Sequence, residues 1–217
     1  MKTTLVILLA AFAFPAVAQQ IRVNAYAGYV FDDNVDSYYD PTNYYNGKIK
    51  GGFEWGGGLE FMARPNYGVE IVYLRLDTKA PISYYQDGAQ RHTTFDLGAN
   101  YIMLGANRYF SRPGSKVEAF TGLQLGMNIM DLKNPDNGKS TNKTFFAWGL
   151  KGGVNIWMTD NVGLKLQVNL ISSVQSVGGG FYFGTGGASA GLTSYSSMYQ
   201  FGLGGGLVFK INSAAKK

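Results

Sequence analysis

Apolar side chains recur at every second position along this chain, in eight separate segments. In residues 53–62 the odd positions read Phe53, Trp55, Gly57, Leu59 and Phe61, and the even ones Glu54, Gly56, Gly58, Glu60 and Met62. Extended backbone sends alternate side chains to opposite faces, so this segment predicts a strand with one apolar and one polar face. Residues 21–31 set Ile21, Val23, Ala25, Ala27, Tyr29 and Phe31 against Arg22, Asn24 and Tyr26. Residues 67–77 set Tyr67, Val69, Ile71 and Tyr73 against Gly68 and Glu70, with Val72 and Leu74 breaking the polar side. In residues 94–110 the split predicts Phe95, Leu97, Ala99, Tyr101 and Met103 on the apolar face, opposite Asp96, Asn100 and Arg108. Val117, Leu123, Leu125, Met127 and Ile129 oppose Glu118, Gln124 and Asn128. Phe146, Trp148, Leu150, Val154 and Ile156 oppose Lys151 and Asn155. Val162, Leu164, Leu166, Val168 and Leu170 oppose Lys165, Gln167 and Asn169. Tyr199, Phe201, Leu203, Leu207 and Phe209 oppose Gln200 and Lys210.

The connections alternate in length. Short ones lie at 64–66, 111–116 and 159–161, and long ones at 32–49, 79–93, 131–144 and 172–197. Short turns at one end and long loops at the other predict an all-β fold: an eight-stranded antiparallel up-and-down barrel across a membrane, with periplasmic turns and extracellular loops. A two-sheet sandwich also uses alternating strands, but it does not require this short-long rhythm. An even strand number returns both ends of the barrel to the periplasm. Closure leaves no unpaired edge in lipid. Tyr29, Phe31, Trp55, Phe61, Trp148, Tyr199 and Phe209 fall near strand ends, as interfacial girdles do.

The leader agrees with that address. Lys2 precedes an apolar run from Leu5 to Phe14, and Ala16-Val17-Ala18 fits a small-x-small cleavage site. We therefore expect a cleaved signal peptide over 1–18, a barrel over 19–211 and a periplasmic tail over 212–217. No cysteine is present to form a lipoprotein or a disulfide. Composition adds 30 Gly, 15 Tyr and 14 Phe with only 15% charged residues, unusual for a soluble enzyme. The net charge of +5 is dispersed, which argues against nucleic-acid binding.

The inward faces carry the candidate chemistry. Arg22, Arg108, Lys151, Lys165 and Lys210 are matched in number by Glu54, Glu60, Glu70, Asp96 and Glu118. An eight-stranded barrel has a bore just wide enough for side chains to fill. A buried charge must be paired. These residues are therefore expected to form a salt-bridged plug; an ion pathway is the alternative. Inward glycines such as Gly56, Gly58, Gly202, Gly204 and Gly206 would make room for Tyr26, Phe120 and Trp157.

Catalytic and metal signals are thin. The single histidine, His92, has Ser83, Asp87 and Asp96 near it in sequence but no established hydrolase spacing. Asp32, Asp33, Asp36 and Asp40 are oxygen donors without EF-hand spacing. No cofactor or metal is expected. Tyr38, Tyr39, Tyr44 and Tyr45 crowd the first long loop; Phe181, Tyr182, Phe183 and Tyr195 mark the fourth. Tyrosine among small residues gives large contact area at low entropic cost, so these loops are expected to contact partners.

The leader, the hairpin rhythm and the last strand, Met198-Tyr-Gln-Phe-Gly-Leu-Gly-Gly-Gly-Leu-Val-Phe-Lys-Ile211, resemble the small outer-membrane barrels of the OmpX, OmpW and OmpA-barrel type. Tyr101-Ile-Met-Leu-Gly-Ala-Asn-Arg-Tyr-Phe110 and Phe146-Ala-Trp-Gly-Leu-Lys-Gly-Gly153 are similar in style to the barrels of Bacteroidota. Many such barrels end on an aromatic residue, whereas Phe209 is followed here by eight more residues, 210–217. The resemblance implies an integral outer-membrane protein of a Gram-negative bacterium, in contact with lipid and lipopolysaccharide. The expected role is non-enzymatic and structural, with other outer-membrane or surface proteins as partners. Passage of small hydrophobic molecules is the alternative, and lipid A modification ranks third.

Overall fold

The computed structural model describes residues 20–38, 44–86, 89–136, 138–174, 180–184, 187–191 and 198–212. The expected leader and nearly all of the expected tail lie outside these residues. Twelve strands follow in order: β1 (Gln20–Val30), β2 (Asp33–Tyr38), β3 (Tyr44–Ile49), β4 (Gly52–Arg64), β5 (Tyr67–Gln86), β6 (Ala89–Ser111), β7 (Val117–Lys133), β8 (Ser140–Trp157), β9 (Val162–Val174), β10 (Gly180–Gly184), β11 (Gly187–Gly191) and β12 (Met198–Asn212). Eight of them close on themselves antiparallel, in the ring β1-β4-β5-β6-β7-β8-β9-β12-β1.

The remaining four lie in the first and fourth long connections. β2 and β3 form a hairpin above β1 and β4, and β3 also pairs with β5 at Asn46↔Ser83. β10 and β11 make a separate hairpin in the fourth connection. The second connection is mostly strand, because β5 and β6 stay paired from Tyr67↔Arg108 up to Gln86↔Ala89.

Register fixes the barrel's dimensions. Cα partners followed from Ile21 through Phe61, Val69, Ala106, Leu123, Leu150, Leu170 and Phe201 return to β1 at Phe31, whose N–H donates to the Phe201 carbonyl at 2.8 Å. The stagger is thus ten residues (31 − 21). Eight strands with that stagger tilt by about 40° and enclose a backbone radius of about 8 Å. The periplasmic turns are tight: Ser115 N–H bonds to Arg112 O at 3.0 Å, and Gly114 takes φ +75°, which favours glycine.

Parity holds in seven of the eight wall strands, with Phe53, Ile71, Leu123, Phe146, Leu166 and Leu203 facing outward. β6 is inverted. Phe95, Leu97, Ala99, Tyr101 and Met103 are buried inside, and Ile102 and Leu104 face lipid. Both faces of β6 are apolar in its middle, so alternation there could not tell inside from outside.

Candidate functional site in the barrel lumen

The bore is filled in two tiers. In the periplasmic half lies a charged tier. Arg22 on β1 reaches across to Glu118 on β7, with Nη1 donating to Oε2 at 2.7 Å and Nη2 to Oε1 at 3.1 Å. Gln20 accepts from its Nε at 3.1 Å, and Asn155 donates to Glu118 at 3.0 Å. The guanidinium also lies 4.4 Å from the Tyr109 ring centroid and 5.4 Å from that of Trp157.

Glu60 and Glu70 are register partners on β4 and β5, so two carboxylates stand side by side. Donors offset their repulsion. Lys151 Nζ donates to Glu70 at 2.5 Å, Asn24 at 2.7 Å, and the Tyr26 hydroxyl also donates to it. Tyr109 donates to Glu60 at 2.7 Å, and the Asn107 amide bridges the two acids at 2.7 and 3.1 Å. A charged group buried in this way is tolerated only when its bonds are met nearly in full.

Glycine makes the room. A Cβ on Gly58 would stand 2.2 Å from a Glu70 oxygen, and one on Gly68 would stand 2.1 Å from a Glu60 oxygen. Gly202 likewise clears space for the Asn169 amide. Gly56, Gly204 and Gly206 do something else. Added Cβ atoms there meet the backbone of the neighbouring strand, so these glycines permit close strand approach rather than housing Phe120 or Trp157.

Lys165 is fully buried, yet its ammonium has no hydrogen-bond partner among the described residues. It lies instead 4.2 Å from the Phe120 ring centroid and 5.9 Å from that of Tyr26. A ring face attracts a cation, most strongly where water is excluded. Glu54 accepts one bond, from Asn169 at 3.2 Å. Lys210 stands at the periplasmic mouth, 3.4 Å from the Trp157 ring centroid.

The upper tier is apolar. Val30, Leu74, Leu76, Phe95, Leu97, Tyr101, Met103, Leu132, Phe145 and Ile171 belong to one buried cluster. This accounts for Val72 and Leu74, which interrupt the polar face of β5. They belong to the upper filling, not to a charged lining.

Two expected members of the charged set are misplaced. Asp96 and Arg108 point out of the wall, since β6 runs with the opposite parity to the one its sequence suggested. For the same reason Asn107 and Tyr109, which point inward and serve both carboxylates, escaped notice. Correct parity on β6 would have exposed them.

Of the loop aromatics, Tyr38, Tyr44 and Tyr45 fall on β2 and β3, and Phe181, Tyr182 and Phe183 on β10. Tyr39 and Tyr195 lie outside the described residues, as do Asp40 and Asp87. His92 is exposed on the upper part of β6, opposite Ser83 in the ladder. Asp32 pairs with Lys48 at 2.5 Å, and no group of three acidic, histidine or cysteine side chains suited to a metal occurs among the described residues.

A closed antiparallel wall with an apolar exterior and a polar-floored, filled bore defines a transmembrane β-barrel. The chain belongs to the outer membrane protein beta-barrel domain family, whose model matches residues 4–204, and it is an integral outer-membrane protein of a Gram-negative bacterium. Among curated proteins none matches it. Its fold is similar to that of the outer membrane protein OprG from Pseudomonas aeruginosa, with TM-score 0.62 and 11% identity over 90% of this chain and 97% of that one. It is also similar to the Neisserial surface protein NspA, with TM-score 0.58 and 16% identity over 88% and 97%. The outer membrane protease OmpT from Escherichia coli matches at TM-score 0.51 and 8% identity over 90% and 98%. At such identities the likeness is one of fold.

Proposed function

We propose that this protein is a non-enzymatic anchor in the outer membrane, holding extended hairpins at the cell surface for contact with other outer-membrane or surface proteins. The observation that carries this reading is the bonded tier across the periplasmic half of the bore. Arg22, Asn24, Glu60, Glu70, Lys151 and Lys165 are all buried there. The gap beside Glu54 and Gly28 amounts to about 10 Å³, at most a single water. A filled bore leaves the wall and the hairpins as the working surfaces. The wall meets outer-membrane lipid, including lipopolysaccharide on the outer side. Above it, β2, β3 and β10 carry Tyr38, Tyr44, Tyr45, Phe181, Tyr182 and Phe183, residue types that favour partner contact.

Reconstitution into a planar bilayer tests the filled bore: no stable conductance of porin size is expected, and steady open steps would sink the anchor reading. Affinity purification from mildly solubilised membranes tests the other half, with a stoichiometric protein partner expected.

A second reading, passage of small hydrophobic molecules, is favoured by one observation, the apolar upper tier around Phe95, Leu97 and Phe145. Uptake of a fluorescent acyl probe into proteoliposomes, above protein-free vesicles, would favour it over the anchor.

A further inference from the structure

At the periplasmic rim between β4 and β7, the described residues outside the bore carry charge of one sign. β4 ends on Arg64, which pairs in register with Tyr67, and Tyr67 pairs with Arg108 on β6. Arg112 follows in the turn after β6, with Lys116 at that turn's far end. Tyr67 and Arg108 stand one outward position past Val69 and Ala106, with Arg64 beside Tyr67 and Arg112 beyond the end of β6. Among the described residues no carboxylate pairs with Arg64, Arg108 or Arg112. The acids nearest in sequence, Glu60 to Arg64 and Glu118 to Arg112, both point into the bore.

Arg108 is held rather than merely solvated. Its guanidinium carbon lies 4.2 Å from the Tyr67 ring centroid and 5.6 Å from that of Phe110, and both rings face outward. A guanidinium held against an aromatic face keeps its N–H groups for another acceptor. That is the geometry in which arginine grips a phosphate with two parallel hydrogen bonds. Aromatic rings at this height mark the headgroup level of the bilayer.

We propose that Arg64, Arg108 and Arg112 form a binding site for the phosphate of an anionic phospholipid in the periplasmic leaflet. Arg108 is the stacked centre of the site. Arg64 and Arg112 flank it and add attraction for a second negative charge. The lipid phosphate sits at Arg108, and its acyl chains run along the apolar band above, past Val69, Ile71 and Leu104. The site is independent of what the surface hairpins bind.

Native mass spectrometry of the full-length protein, purified in a non-ionic detergent, provides the test. The probes are phosphatidylglycerol, cardiolipin and, as the zwitterionic control, phosphatidylcholine. Wild type is expected to retain the anionic lipids on the order of a hundredfold more than the control, with each removed charge reducing that preference by about fivefold. Arg108→Gln and the triple change of Arg64, Arg108 and Arg112 to Gln should erode it stepwise. Lys133→Gln, an equal charge change at the opposite end of the barrel, should leave it intact. Folding of each variant is confirmed by its heat-dependent mobility on a gel. If the triple variant does not fold, wild type alone decides, because its preference must fall steeply with added salt. Equal retention of all headgroups by wild type, a salt-insensitive preference, or an unchanged preference in a folded triple variant would overturn the proposal.

Discussion

At the scale of single residues, the buried pairs differ from the exposed ones in kind. Glu118 holds Arg22 with two hydrogen bonds and receives a third from Asn155, all buried. Glu118→Ala strands the guanidinium beside Trp157, and such a change costs about 3–5 kcal/mol. Urea unfolding in lipid vesicles should register the loss as a lower midpoint. Replacing both partners with methionine removes the stranded charge, so the double variant should recover most of that stability. A double variant as unstable as Glu118→Ala would show that neighbours such as Tyr109, not the pair, set the cost.

Above the membrane, Asp32 shows the weaker kind of pairing. The Lys48 ammonium at 2.5 Å and the Gly51 N–H at 2.6 Å hold its carboxyl below the usual carboxylate range. A depressed folded value means the tie is fully present above the ordinary carboxylate range. It is lost as pH falls through the depressed value. Amide exchange in β2 and β3, corrected for its intrinsic pH dependence, should therefore accelerate in acid. Asp32→Asn should abolish that acid response, and salt should blunt it because the pair is exposed.

Among the elements, β12 bears the closure of the wall, and its glycines show where the tolerance is smallest. A Cβ at Gly206 would come within 1.7 Å of the Ala25 carbonyl oxygen, so Gly206→Ala must push β12 away from β1. Overpacking of this type costs about 1–3 kcal/mol, and here it falls on the closing seam. Refolding yield should drop sharply. Gly152→Ala, whose Cβ would meet only the Phe120 carbonyl oxygen at 3.7 Å, should refold as wild type does.

The strands were legible where polar residues sat on the face opposite the lipid-facing ones, as Glu54 and Glu60 do on β4 and Lys165 and Asn169 on β9. β6 was not. Its interior half supplies the apolar tier and its exterior half faces lipid, so both parities are greasy and only its neighbours' register settles the matter. The hairpin extensions β2, β3, β10 and β11 were hidden for another reason. Above the bilayer no medium imposes alternation, and their Gly, Tyr, Ser and Asp residues read as loop.

For the molecule as a whole, eight segments with lipid-suited faces were enough to fix class and location, since no other closed arrangement buries so many polar faces while exposing so much apolar surface. The purified chain should accordingly require detergent or lipid. A monodisperse, water-soluble monomer by sedimentation would contradict the wall described here. What the segments could not convey was how the bore is apportioned between charge and grease. That depends on cross-strand partners such as Arg22 with Glu118, which lie far apart in the chain.

The stagger of ten residues has a consequence for how such a protein can change. Like a cask whose girth depends on its staves and their slant, this barrel cannot be widened by altering what lies inside it. Mutation of lumen residues can only hollow or clog a conduit of set calibre. A wider passage would require an added hairpin, while novelty at the surface needs only longer projections above the rim.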